Sequence, residues 1–342
     1  MTVTHLAFFK ERMLLFIKTA ILGLFADKTA DINLYFGLFI FIFGVVGNIL
    51  NILILNQRTF RSNACIYLFR ASSIANLISI FFGLTPRILS RWKLDFTATH
   101  DIPCKFRAFI TFSSRTIALW LIMFATADRY FTSSNRIHLR KLSTLKNAQT
   151  NSIIITCLSI LVYSQMLFCY QANLSSTPLK CYGKTDICCL ITDLTYSCLA
   201  IMFPLIFMTV FGLLTISNLR QRRYCLQGRK YSHERHVNRK TLISLDQQRQ
   251  RWKKLERYLQ HMLCLQVISL IILTLPQVIH KLYFTLTYRW DKSTIEYELN
   301  RILYQFELLL PYLENALPFY IYTLAGGKIF RRAFQKLVYS FR

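Results

Sequence analysis

Ile117-Ala118-Leu119-Trp120-Leu121-Ile122-Met123-Phe124-Ala125 runs straight into Thr126-Ala127-Asp128-Arg129-Tyr130. An apolar stretch thus closes on an acid, a base and an aromatic. Such a pair is costly at a membrane helix unless it reaches the water interface or faces the protein interior. Cys104 lies 25 residues before Arg129. That is about seven helical turns, so both fall on one helix face roughly 37 Å apart, close to the thickness of a bilayer with its interfaces. The spacing predicts one helix with a thiol at one membrane surface and an ion pair at the other.

The same grammar repeats along the chain. Of 342 residues, 54% are hydrophobic and 15% aromatic, and the mean hydropathy is +0.34. Apolar runs cover Leu34–Leu55, Ile66–Ser90, Pro103–Phe131, Ser152–Tyr170, Leu190–Ile216, Leu255–Phe284 and Leu299–Leu324. One such run can arise by chance in a soluble domain, but seven cannot. The expected fold is all-α: a seven-transmembrane helix bundle over 34–324, followed by a short amphipathic helix over 327–342. In that last segment Ile329, Phe330, Phe334 and Leu337 are apolar and Arg331, Arg332 and Lys336 charged, a pattern suited to a membrane surface. Asn48 and Asn76 lie inside the first two spans and need partners on other helices. Pro86, Pro204, Pro276, Pro311 and Pro318 fall within spans, where neighbouring groups can satisfy the carbonyls they free. Residues 1–33 read as an N-terminal tail, with a cleaved signal over 1–25 as the alternative.

The net charge of +26 would suggest nucleic acid in a soluble protein. Here the basic residues crowd alternate loops, most densely over 218–254, so membrane lipid replaces nucleic acid as the expected partner. The rule that positive loops stay inside puts 218–254 in the cytoplasm as a third inner loop, the N-terminus outside and the C-terminus inside. Asn173-Leu174-Ser175, a glycosylation sequon, then falls outside, as its chemistry requires. Ten cysteines make no zinc motif, and no residue set resembles a nucleophile or a phosphate-cradling loop. Neither an enzyme nor a cofactor is expected.

Seven spans, an outward N-terminus and Asp128-Arg129-Tyr130 at the inner end of span three resemble a rhodopsin-like G-protein-coupled receptor. The resemblance covers about 34–342. Gly47-Asn48 matches the family's first-helix pair, Cys104 its outer cysteine, and Pro204 and Pro276 its fifth- and sixth-helix prolines. Glu256 matches the acid that can pair with the third-helix Arg. There are departures. Asn76 stands where the family has a second-helix acid, and span four has no Trp. Thr274 replaces a common Trp, and Pro318-Phe319-Tyr320-Ile321-Tyr322 replaces Asn-Pro-x-x-Tyr. These look like the variant in invertebrate FMRFamide-type neuropeptide receptors, with Tyr322 in the family Tyr position.

The resemblance implies a plasma-membrane receptor for an extracellular ligand, a neuropeptide by this likeness, acting on a heterotrimeric G protein. Asp128, Arg129, Tyr130, Glu256 and Tyr322 would form its inner switch. It also implies a disulfide from Cys104 to the loop after span four, with Cys181 leading and Cys188 and Cys189 as alternatives. With Asn76 and Pro318 at the family's sodium positions, no sodium site of the usual kind is expected. Thr111, five turns before Arg129, faces the interior and cannot act as counter-ion to an amine. Arg115 shares that face, and a buried guanidinium needs a partner, so a pair with Glu314 is expected, with Glu307 as the alternative. Arg107, His280 and Glu307 should line the outer mouth. The alternative reading is a seven-helix chemosensory or transport protein that does not couple to G proteins.

Overall fold

Long apolar segments can satisfy their own backbone only as helices when water is absent, and helices dominate the computed structural model. It describes residues 31, 33–58, 60–92, 94–174, 179–229, 239–286, 303–325 and 327–340. The N-terminal tail and its signal alternative therefore lie outside the described residues, as do Ser175 and the acidic residues Asp291, Glu296 and Glu298.

Helix α1 (Asn33–Leu55) leads into α2 (Ala64–Leu89), whose Asn63 cap accepts the Ile66 N–H. A short α3 (Phe96–Thr99), capped by Asp95, precedes α4 (Asp101–Ser133). At 33 residues α4 is about 50 Å long, longer than the roughly 30 Å apolar core of a bilayer. It packs against α2, α6 and α9 and is the axis of the bundle. Next come α5 (Ile137–Leu142), α6 (Leu145–Tyr163) and the single turn α7 (Met166–Cys169). Strands β1 (Tyr170–Gln171) and β2 (Tyr182–Gly183) pair antiparallel with Tyr170 opposite Gly183.

Helix α8 (Asp186–Thr195) passes through a π-helical stretch, Tyr196–Met202, into α9 (Phe203–Arg229). Pro204 explains the switch. It brings no N–H and would press on the carbonyl four residues back, and the wider π turn ends just before it, with the Phe203 N–H reaching Cys198. The long α10 (Arg239–Leu286) carries Pro276 within it.

Among the described residues, six helices are long and apolar enough to cross a membrane. The segment read as a seventh continuous span is instead broken into α11 (303–307), α12 (Leu310–Ala316) and α13 (Pro318–Ala325). Pro311 and Pro318 stand at the two breaks, each lacking the N–H that would carry the ladder across. Helix α14 (Gly327–Ser340) closes the chain. Its Phe330 and Ala333 are buried and its Arg331 and Arg332 exposed, and rings of Phe330 and Phe334 pack on Phe319.

The bundle is arranged as a membrane solvent demands. Phe43, Ile154, Leu161, Ile206, Leu213 and Ile272 point outward, while polar groups sit inside and bond between helices. Asn48 donates to the carbonyls of Gly44 and Asn315 at 2.8 and 3.0 Å, tying α1 to α12. Asn315 donates to Ser79 Oγ on α2, and Asn51 to Ser73 Oγ. Asn76, expected to do this work on α2, is buried but makes no side-chain hydrogen bond among the described residues. Asn51, Ser73, Ser79 and Asn315 do it instead.

Gly83 marks a close approach of α2 to α12, for a Cβ there would overlap the Tyr312 ring. Gly83→Ala should destabilise the detergent-solubilised chain by about 1–3 kcal/mol, the usual cost of overpacking. Gly212→Ala, where a Cβ meets nothing within 4 Å, should leave the thermal midpoint unchanged or higher. An unaltered midpoint for Gly83→Ala would contradict the α2–α12 contact.

Candidate functional site

The loop between α6 and α8 folds over one end of the bundle. Cys104 at the start of α4 bonds Cys181, with Cα atoms 5.7 Å apart. Of the alternatives, Cys188 bonds Cys169 across 5.3 Å between Cα atoms, and Cys189 remains a thiol. The β1–β2 hairpin is thus pinned to α4 by one bond and to the first turn of α8 by the other. The Ala172 N–H adds a third tie, to Asp101 Oδ1 at 2.8 Å. Burial raises the Tyr170 and Tyr182 phenols above their usual range, so both stay neutral. Asn173 is exposed in a left-handed turn (φ 58°), its side-chain amide donating to the Thr99 carbonyl.

Beneath this lid lies a small cavity of about 70 Å³, room for a few water-sized groups. Thr111 and Arg115 from α4, Tyr196 from the π turn, Lys281 from α10 and Tyr312 from α12 face it, with Tyr182 in the roof. Lys281 pairs with Asp193 of α8 at 2.8 Å, both side chains 3% exposed. Its ammonium also lies 5.1 Å from the Phe112 ring centroid and 4.9 Å from that of Tyr196. Two ring faces and a carboxylate therefore replace its water. The Tyr182 hydroxyl reaches Asp193 Oδ2 at 3.4 Å, joining lid to pair.

The expected outer-mouth residues divide. Thr111, Arg115 and Arg107 line the cavity. His280 and Glu307 bond each other at 2.6 Å and do not line it. Arg115 and Glu314 are both 4% exposed, yet they make no ion pair within 4.0 Å, nor does Arg115 with Glu307. The Arg115 guanidinium lies instead between the rings of Tyr196 and Tyr312, 5.4 and 5.9 Å from their centroids. Ring quadrupoles have taken the place assigned to the carboxylate.

At the far end of α4, Arg129 Nη2 meets Asp128 Oδ2 at 2.6 Å and Asn63 Oδ1 at 3.4 Å. Ser143 donates to the other Asp128 oxygen, and Tyr130 stacks on Phe211 of α9 at 5.6 Å. Tyr322 donates to Gln266 Oε1 at 2.7 Å, linking α13 to α10. An apolar cleft of about 230 Å³ opens between α4, α9 and α10, with Arg129, Thr126, Met208 and Leu263 in its walls. Glu256 belongs to α10, but its side chain lies outside the described residues.

No protein-family model matches the chain. Two features escaped the sequence reading. The Asp193–Lys281 pair was signalled by opposite charges inside two apolar runs, a rare and costly placement. The Cys169–Cys188 bond had no such signal, since hairpin register alone brings those residues together.

Removing one partner of a buried pair strands the other charge. Asp193→Ala should therefore cost about 3–5 kcal/mol, while Asp193→Leu with Lys281→Met should recover most of it. Thermal unfolding of the parent chain and the two variants in detergent measures this. Equal losses for the single and double variants would contradict the pair.

Proposed function

We propose that this chain is a seven-helix receptor of the rhodopsin-like kind, taking an extracellular peptide in the cavity beneath the lid and passing the event to a heterotrimeric G protein. It stands in the plasma membrane with the lid outside. On this reading α11–α13 make the seventh crossing, and α14 lies along the cytoplasmic surface as helix 8. The orientation rests on the basic loops, which collect at the Arg129 end.

The observation that carries the reading is the placing of Arg129. It sits buried at the inner end of the axial helix, held by its neighbour Asp128 and by Asn63, beside an apolar cleft between α4, α9 and α10. A switch needs two packings that a ligand can bias. The inner bonds are of the kind that can be exchanged: Arg129 to Asp128, and Tyr322 to Gln266. The two ends share α4 and α10. Arg115 and Lys281 face the cavity, while Arg129 and Leu263 of the same helices border the cleft. A ligand that draws α10 relative to α4 above therefore alters the cleft below, where a G-protein segment would enter. By the family resemblance, Glu256 of α10 is proposed as the acid that holds Arg129 at rest.

A hydrogen bond to a charged group is worth about 1.5–3 kcal/mol. Glu256→Ala should therefore raise agonist-independent signalling by about ten-fold or more in cells with a promiscuous G protein. Arg129→Ala should abolish signalling at equal surface expression. Basal signalling unchanged by Glu256→Ala would remove the tie, and signalling intact in Arg129→Ala would remove the switch.

A further inference from the structure

Arg115 is buried to 4% exposure on the axial helix and faces the cavity. Among the described residues its Nε and Nη2 have no hydrogen-bond partner, and no carboxylate lies within 4.0 Å. Ring faces stabilise the charge but accept none of its N–H bonds in the plane of the fork. A guanidinium desolvated in this way is strongly unfavourable until an acceptor arrives.

Of the other cations in the lining, Lys281 has Asp193 and Arg107 has Thr97 Oγ1. Arg87 reaches Gln305 Oε1 at 3.5 Å, its buried Nε being without a partner among the described residues, and only Arg115 is joined on its helix face by a second unpartnered donor. Among the described residues no carboxylate lines the cavity. One turn before Arg115, on the same helix face, Thr111 Oγ1 is also buried without a partner. Across the cavity, the oxygen of Gln277 is a buried acceptor without a donor. Two unsatisfied donors thus sit together on α4, with one unsatisfied acceptor opposite on α10, among aromatic walls.

We propose that the cavity is a carboxylate site, in which Arg115 and Thr111 hold the carboxylate of an aromatic-bearing ligand and Gln277 accepts one of its N–H groups. A planar guanidinium takes a carboxylate by two parallel bonds and cannot take a neutral amide that way. This rests on reading the cavity as the ligand site. It also separates the chain from receptors selective for amidated peptides: here the anchor is a free C-terminal carboxylate, an acidic side chain or a small aromatic acid.

The test uses the full chain in nanodiscs and two matched pairs of probes. One is acetyl-Phe-Phe as free acid and as carboxamide; the other is 3-phenylpropionate and its amide. Binding is read from intrinsic fluorescence and thermal shift, without G protein. The acid of at least one pair should bind ten-fold or more tightly than its amide, and the pair that responds tells a peptide source from a small acid. Arg115→Gln should erase the difference and Arg115→Lys keep part of it. Thr111→Val, which leaves every charge in place, should shrink it. Equal binding of acid and amide in both pairs, or a preference that survives Arg115→Gln, overturns the proposal. Because no G protein is present, acid-selective binding that depends on Arg115 would stand even if a separate nucleotide-exchange assay overturned the receptor reading.

Discussion

A charge inside an apolar bundle must meet an opposite charge, a ring face or a polar neighbour, and the ion pair between Lys281 and Asp193 is where this constraint binds the structure most tightly. Both groups are almost fully buried. The pair joins α8 to α10, and the rings of Phe112 and Tyr196 complete the ammonium's surroundings. Tyr182 brings the lid to the same carboxylate. Removing the pair would unpin three elements at once, because each was placed to satisfy it. Its net contribution need not be large, since desolvation offsets much of the Coulomb attraction. What it constrains is register, since a shift of α8 against α10 would part Asp193 from Lys281.

The Arg129 end obeys the same rule with smaller penalties. Asp128 serves Arg129 with one oxygen and Ser143 with the other, and Asn63 divides its oxygen between a helix cap and the guanidinium. These groups lie beside the exposed residues Asn135 and Arg136 that follow α4, so alternative partners are within reach when neighbouring helices move. One end of the axial helix is thus locked by buried charge and two disulfides, and the other is held by exchangeable bonds. That asymmetry suits a device that is rigid where it recognises and adaptable where it responds.

Much of this was legible in the sequence because hydrophobic length and charge placement are local properties. The extent of α4, the Asn48 tie and the Cys104–Cys181 bond follow from runs and spacings, or from residues matching a known pattern. Depth and side-chain direction are not local. Arg115 and Glu314 share a helix-face prediction, but Tyr196 and Tyr312 stand at the guanidinium instead. Pro311 and Pro318 read as kinks in one span, whereas missing N–H groups at two nearby points break it into short helices. Lys281 was hidden by its neighbour His280, which drew attention as the mouth residue while Lys281 faced the cavity.

The most direct measurement is guanine-nucleotide exchange on a purified heterotrimeric G protein by the full chain in nanodiscs, with a pool of synthetic peptides supplied as agonists and Arg129→Ala as the paired control. A receptor of this kind accelerates exchange in a peptide-dependent way, and Arg129→Ala abolishes the acceleration while the chain still binds its ligand. Exchange that is the same in Arg129→Ala, or peptide-dependent ion flux with no exchange on any G protein, would contradict it.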